Sequence, residues 1–246
     1  LSFTTGLTAV GAPGGAASIS FSGGLNDLSD VAFTATANGS LYVGQVSSAP
    51  ATGVGNVTLG GGTGKIMSSG TDNTLIGSDS SSLLTVASHN VVIGSDSAAA
   101  ITEGGDNVLI GSDVAATLTT GTDNVIIGKS ANISGATLSS ATVIGESASG
   151  AADSTVIGKG ASASTDGTAI GSGATASGGG TALGKGANAS SNGIALGKGA
   201  VSASGSIAIG SSGTPITLSS GQTGGTVTIP VLINGTLQYY IKLHSA

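Results

Sequence analysis

"DNVLIGSDVAATLTTGTDNVIIG", Asp106 to Gly128, states one phrase twice, with Gly111 and Gly128 standing 17 residues apart. Each statement is an Asp-Asn pair, three branched apolar residues and a Gly. Following that Gly outward gives Gly60, Gly77, Gly94, Gly111, Gly128 and Gly145 at intervals of 17, then Gly158, Gly171, Gly184, Gly197 and Gly210 at intervals of 13. The residue just before it is Ile or Leu in every copy. Three before it the residue is always β-branched: Val57, Thr74, Val91, Val108, Val125, Thr142, Thr155, Thr168, Thr181, Ile194 and Ile207. Such side chains suit a pleated surface, so each copy predicts a short strand ended by a Gly turn. A unit this short has no room for a helix. It matches one coil of a parallel β-solenoid, whose coils stack about 4.8 Å apart, and eleven coils make a rod of roughly 50 Å.

The composition fits stacking better than a globular core. Only 2% of residues are aromatic and 7% charged, against 39% hydrophobic and 45 Gly, so Ser, Thr, Gly and Asn must cover much of the surface. An average domain carries about 25% charged residues. The absence of Cys excludes disulfides and thiolate metal sites. A net charge of −6, with six Lys and no Arg spread along the chain, gives no basic patch for nucleic acid. No stretch approaches the about 20 consecutive apolar residues of a membrane span.

Residues one and three before each Gly share a strand face and are expected to fill the roll. The residue between them is then expected to face outward: Thr58, Leu75, Val92, Leu109, Ile126, Val143, Val156, Ala169, Ala182, Ala195 and Ala208. An apolar ladder in that place implies cover by other copies of the chain, so Leu75 to Ala208 are the expected seam of a homotrimer, with Ala allowing close approach. Seven positions after the Gly stand Met67, Leu84, Ile101 and Leu118, which predicts a longer second strand and a wider core in the 17-residue coils.

Four regions are expected: a docking or capping segment over 1–55, a wide roll over 56–145, a narrow roll over 146–213 and a β-hairpin domain over 214–246. The first holds Phe3, Phe21, Phe33 and Tyr42. In the last, Val227, Ile229, Val231 and Ile233 alternate, Asn234-Gly235 suits a type I′ turn, and Leu237, Tyr239, Ile241 and Leu243 alternate back. Pro230 cannot donate to a ladder and belongs at an edge or bulge. A lone hairpin is marginal in water, so Ile229, Val231, Ile233, Tyr239 and Ile241 are expected to make three-fold contacts.

The later repeats resemble the YadA-like head of trimeric autotransporter adhesins, whose motif is Ala-Ile-Gly followed by alternating small residues. It stands here as Ala169-Ile170-Gly171 with Ala174 and Ala176, Ala182-Leu183-Gly184 with Ala187 and Ala189, and Ala195-Leu196-Gly197 with Ala200. The resemblance implies a left-handed parallel β-roll, three chains side by side and no catalysis. It covers 146–210 closely and 56–145 more loosely. "LNDLSDV", Leu25 to Val31, is similar to a short motif of bacteriophage fibre proteins, and the final strands are similar to hairpins of phage appendages. These ends point to a structural fibre or decoration protein on a virion surface, bound to capsid or tail proteins and open to a host glycan or protein. The alternative is the head of a bacterial adhesin that binds cells or matrix.

The residues with chemistry read mostly as turn and surface groups. Asn56, Asn73, Asn90, Asn107 and Asn124 stand four before their Gly and form either a ligand row or, better, a ladder that satisfies turn backbone. Asp79, Asp96 and Asp113 stack as like charges; a cation could bridge them, though exposed turn carboxylates need none. Lys129, Lys159, Lys185 and Lys198 follow their Gly directly and read as a solvated row. His89 takes the slot held by Asp72, Asp106 and Asp123 in sister coils, and nothing marks it or His244 as a base. "GGGTG" at Gly60 to Gly64 lacks the Lys-Ser/Thr of a phosphate loop. No catalytic residue, cofactor or metal is assigned. Thr rows of an ice-binding surface are set aside because Thr74, Thr142, Thr155, Thr168 and Thr181 are expected on the core face.

Overall fold

The computed structural model describes residues 40–43 and 53–210 and the strands Val227–Ile233 and Thr236–Leu243. The chain divides into two compact units, residues 1–212 and 213–246. The described residues of the first form an all-β parallel solenoid of about twelve turns. Its main sheet has twelve strands, from Leu41–Val43 and Val57–Leu59 through Thr74–Ile76 and its successors to Ile207–Ile209. Val57 pairs with Thr74, Val108 with Val125 and Thr155 with Thr168, so equivalent residues of successive coils stack in register. Leu41–Val43 pairs with Val57–Leu59, which carries the sheet back into the segment expected to dock or cap. The Phe3, Phe21 and Phe33 assignments lie outside the described residues.

Each coil is bent by the Gly that marks it. From Gly60 to Gly210 these residues hold φ between 117° and 142°, a region that a side chain disfavours. The neighbouring coil also leaves no room: a Cβ on Gly171 would lie 2.5 Å from the carbonyl carbon and oxygen of Gly184. The marker is therefore fixed twice over, by its dihedral and by the next coil.

The faces of the main sheet are the reverse of those expected. Leu75, Val92, Leu109, Ile126, Val143, Val156, Ala169, Ala182 and Ala195 are fully buried within a single chain. Ala208, in the final coil, is partly buried. They form the core, and the assignment of these residues to a trimer seam is corrected. The flanking residues point outward, with Val57 37%, Leu59 47% and Ile157 38% exposed. The Thr residues placed in the core share that outward face. A three-residue strand gives one side chain to one side and two to the other. The interior of a coil this small takes the single one.

The opposite wall explains the size of that residue. In the early coils Met67, Leu84, Ile101 and Leu118 are buried in one cluster with the Leu, Val and Ile of the main sheet; in the later coils the second sheet turns Ala163, Ala176 and Ala189 inward, in one cluster with Ala169, Ala182 and Ala195. Between these regimes Val143 and Val156 lie over Gly150, where a Cβ would meet the Val143 Cγ2 at 2.6 Å. The wall itself also differs from expectation. A second, six-stranded sheet begins at Asn132–Ile133 and ends at Val201–Ser202, and the coils before it have no second strand among the described residues. Their four extra residues form another turn: Gly64, Ser81, Ala98 and Ala115 adopt φ of 57°, 49°, 49° and 50°. Their carbonyls accept from the amides of Met67, Leu84, Ile101 and Leu118. That turn swings the large apolar residue inward. In the coil after Gly128 the pattern changes early, and Ile133 takes the core place in which Gly135 stands out of line.

In the second unit, Val227–Ile233 and Thr236–Leu243 pair antiparallel, with Val227 opposite Leu243, Ile229 opposite Ile241 and Val231 opposite Tyr239. The register shifts between Val231 and Leu232, one residue after Pro230. Asn234-Gly235 and the proposed contacts of Ile229, Val231, Ile233, Tyr239 and Ile241 lie outside what the structure describes.

Candidate interaction face

The outward face of the main sheet carries two continuous rows. One is Leu59, Ile76, Ile93, Ile110, Ile127, Ile144, Ile157, Ile170, Leu183, Leu196 and Ile209, all exposed or half-buried. Beside it run the β-branched residues from Val57 to Ile207, likewise not buried. Successive residues of each row sit opposite one another in the parallel ladder, as Ile110 does with Ile127. Monomeric proteins rarely leave contiguous apolar patches larger than a few hundred Å² in water. The rows are set by the pairing of the coils, and Leu59, Leu183 and Ile209 stand 47%, 47% and 56% exposed.

Inside the roll, the Asn residues form the ladder that the sequence suggests. Asn90 Oδ1 accepts from the Asn107 amide at 3.2 Å and from Asn107 Nδ2 at 3.0 Å, while Asn90 Nδ2 donates to the Gly104 carbonyl at 2.9 Å. Each of Asn56, Asn73, Asn90, Asn107 and Asn124 is fully buried. The ladder ends where the Ala141 amide donates to Asn124 Oδ1 at 3.0 Å. A ligand row is excluded by this burial and by complete use of the amides. Replacing Asn90 with Leu is expected to cost about 3 to 5 kcal/mol, because the Asn107 amide groups and the Gly104 carbonyl lose partners in a dry interior. A guanidinium unfolding midpoint measures it, and a loss below about 1 kcal/mol would deny the ladder this role.

The edges of the outward face carry the charges, and backbone conformation explains the choice of Asp. Asp72, Asp106, Asp123, Asp153 and Asp166 before the strands, and Asp79, Asp96 and Asp113 after them, all have φ between 51° and 60°. Asp tolerates that left-handed region better than most residues. The hydroxyls of Ser95 and Ser112 donate to the carboxylates of Asp96 and Asp113 at 2.7 and 2.8 Å. Among the described residues no three His, Asp or Glu side chains gather to hold a metal ion. His89, at φ 59° in the same row, lies 3.7 Å from the Asp72 carboxylate and 3.6 Å from that of Asp106. All three are exposed, which makes these weak contacts.

Of the Lys row, Lys159 reaches Glu146 of the neighbouring coil at 2.8 Å. The hydrogen bond from Lys159, its charge and the charge of Lys129 hold the Glu146 carboxyl below its ordinary pKa. Both partners are well exposed, so solvent screens the pair. Lys129, Lys185 and Lys198 are exposed as well. Sequence reasoning placed the row from Leu59 to Ile209 in the core, where the structure turns it outward. In strands of three apolar residues alternation marks which two share a face and does not mark which face turns outward.

Fold and face together define a parallel β-solenoid with one apolar side. No helix among the described residues is long and apolar enough to cross a membrane. No family model and no curated protein sequence matches the chain. Among solved structures it is similar to the collagen-binding domain of the Yersinia adhesin YadA, at 26% identity, with 57% of this chain and 76% of that one covered and a TM-score of 0.44.

Proposed function

We propose that the chain is a non-catalytic, surface-exposed head of adhesin type, in which three parallel copies turn their main sheets to a common axis. The observation that carries this reading is the outward double row of Ile, Leu, Val and Thr, which runs the length of the sheet. Two further copies are its natural cover, since an unbroken row repeated at each coil matches a partner with the same repeat. The Ala-Ile/Leu-Gly motif, in three successive coils from Ala169 to Gly197, supports the adhesin class. The virion reading rests on seven residues at Leu25 to Val31 and on the two final strands. The adhesin reading therefore takes precedence. In this role the roll is a stiff spacer that presents its outer surfaces to a cell or matrix component outside the cell.

Light scattering of the purified chain tests the trimer. Replacing both Ile110 and Ile127 with Asp is expected to convert trimer to monomer at micromolar concentration, because each substitution puts three carboxylates at the axis. Binding to immobilised matrix protein or whole cells should fall by about tenfold or more as avidity is lost. A wild-type chain that stays monomeric ends the proposal.

A further inference from the structure

A closed three-fold ring uses two different edges of each copy, and rotation without translation sets them at equal height. The edge after each strand of one copy meets the edge before the same strand of the next. Around Val125–Ile127 those edges carry Asp123 before and Lys129 after; around Thr155–Ile157 they carry Asp153 before and Lys159 after. All four residues are exposed, and they flank the apolar rows rather than interrupt them. Asp123 and Asp153 sit at φ 59° and 55°, so the turn backbone fixes where each stands.

We infer that Lys129 and Lys159 of one copy pair with Asp123 and Asp153 of the next, forming the ionic rim of the interface in the middle of the roll. The inference rests on the three-fold reading above. Opposite charges brought to one level by symmetry guide association and disfavour a mismatched partner. Glu146 already holds Lys159 at 2.8 Å, so the rim becomes a chain of carboxylate, ammonium and carboxylate across the boundary. The same symmetry puts Asp72 level with Asp79 and Asp106 level with Asp113, which are like charges. The ionic contribution thus changes sign along the roll: attractive in the middle, repulsive toward the early coils, where the apolar rows must hold the copies together.

The test uses the lack of Cys in the chain. A variant carrying both Asp153→Cys and Lys159→Cys is treated with a short bismaleimide and run on a denaturing gel. A link within one chain leaves a band of monomer size on a denaturing gel, so linked dimer and trimer bands can come only from joins between copies. A covalently closed trimer is expected, while either single variant runs as monomer. A sample that is trimeric by light scattering but yields no linked trimer overturns the pairing and leaves the three-fold reading standing. A sample that is monomeric by light scattering overturns both. As a second measurement, in a Glu146→Gln background, Asp153→Lys and Lys159→Asp should each raise the concentration of half-dissociation by roughly tenfold, and the two together should restore it. Singles without effect, or a double variant as weak as the singles, overturn it likewise.

Discussion

Leu109→Asp is expected to unfold the roll, even in a chain kept monomeric. Leu109 is fully buried between Val92 and Ile126 in the ladder and belongs to the same buried cluster as Leu118. Truncating it to Ala alone would cost about 3 to 4 kcal/mol in lost contacts and cavity. A carboxylate there has no partner, and the total loss of about 5 kcal/mol or more approaches the whole stability of an ordinary domain. Ile110→Asp, one residue on, puts the same charge on the outward face and should leave the isolated chain folded. Circular dichroism and thermal melting of the two variants make the comparison. If Ile110→Asp unfolded the monomer and Leu109→Asp did not, the faces would be assigned wrongly.

Gly171→Ala is expected to be nearly as damaging, for a different reason. A methyl group is small, yet here it meets the carbonyl of Gly184 at 2.5 Å, and backbone cannot swing aside as a long side chain can. The φ of 132° adds strain, since the region is almost closed to residues with a Cβ. Strain and forced separation of coils together should cost about 3 to 5 kcal/mol, read as a fall in the unfolding midpoint. Gly173→Ala is the control: its φ is 66°, but nothing lies within 4 Å of the added Cβ, so only about 1 kcal/mol should be lost. Equal losses at the two sites would show that coil contact plays no part.

These residues also show what can be read without coordinates. The Gly markers, their change of interval after Gly145 and the Asn row all state a stacked geometry, because a solenoid repeats its contacts in every coil and the sequence must repeat with it. The charged edges were legible for the same reason: Asp, Asn, Ser and Gly recur where a left-handed turn recurs. The second wall was less legible. Met67, Leu84, Ile101 and Leu118 looked like a longer strand, yet the chain reaches them through an extra turn at Gly64, Ser81, Ala98 and Ala115. Ser and Ala adopt a positive φ too rarely to announce such a turn.

What the sequence determined by itself is the period, the coil and the turn that closes it, since these follow from local conformation and from identical neighbours above and below. Which side of each strand is interior was settled by tertiary structure alone. In Val108-Leu109-Ile110 every residue is apolar, so alternation fixes which two share a face and leaves open which face is inside. Only the curvature of the closed coil decides that, and it admits Leu109 alone. Val108 and Ile110 are left on the outward face.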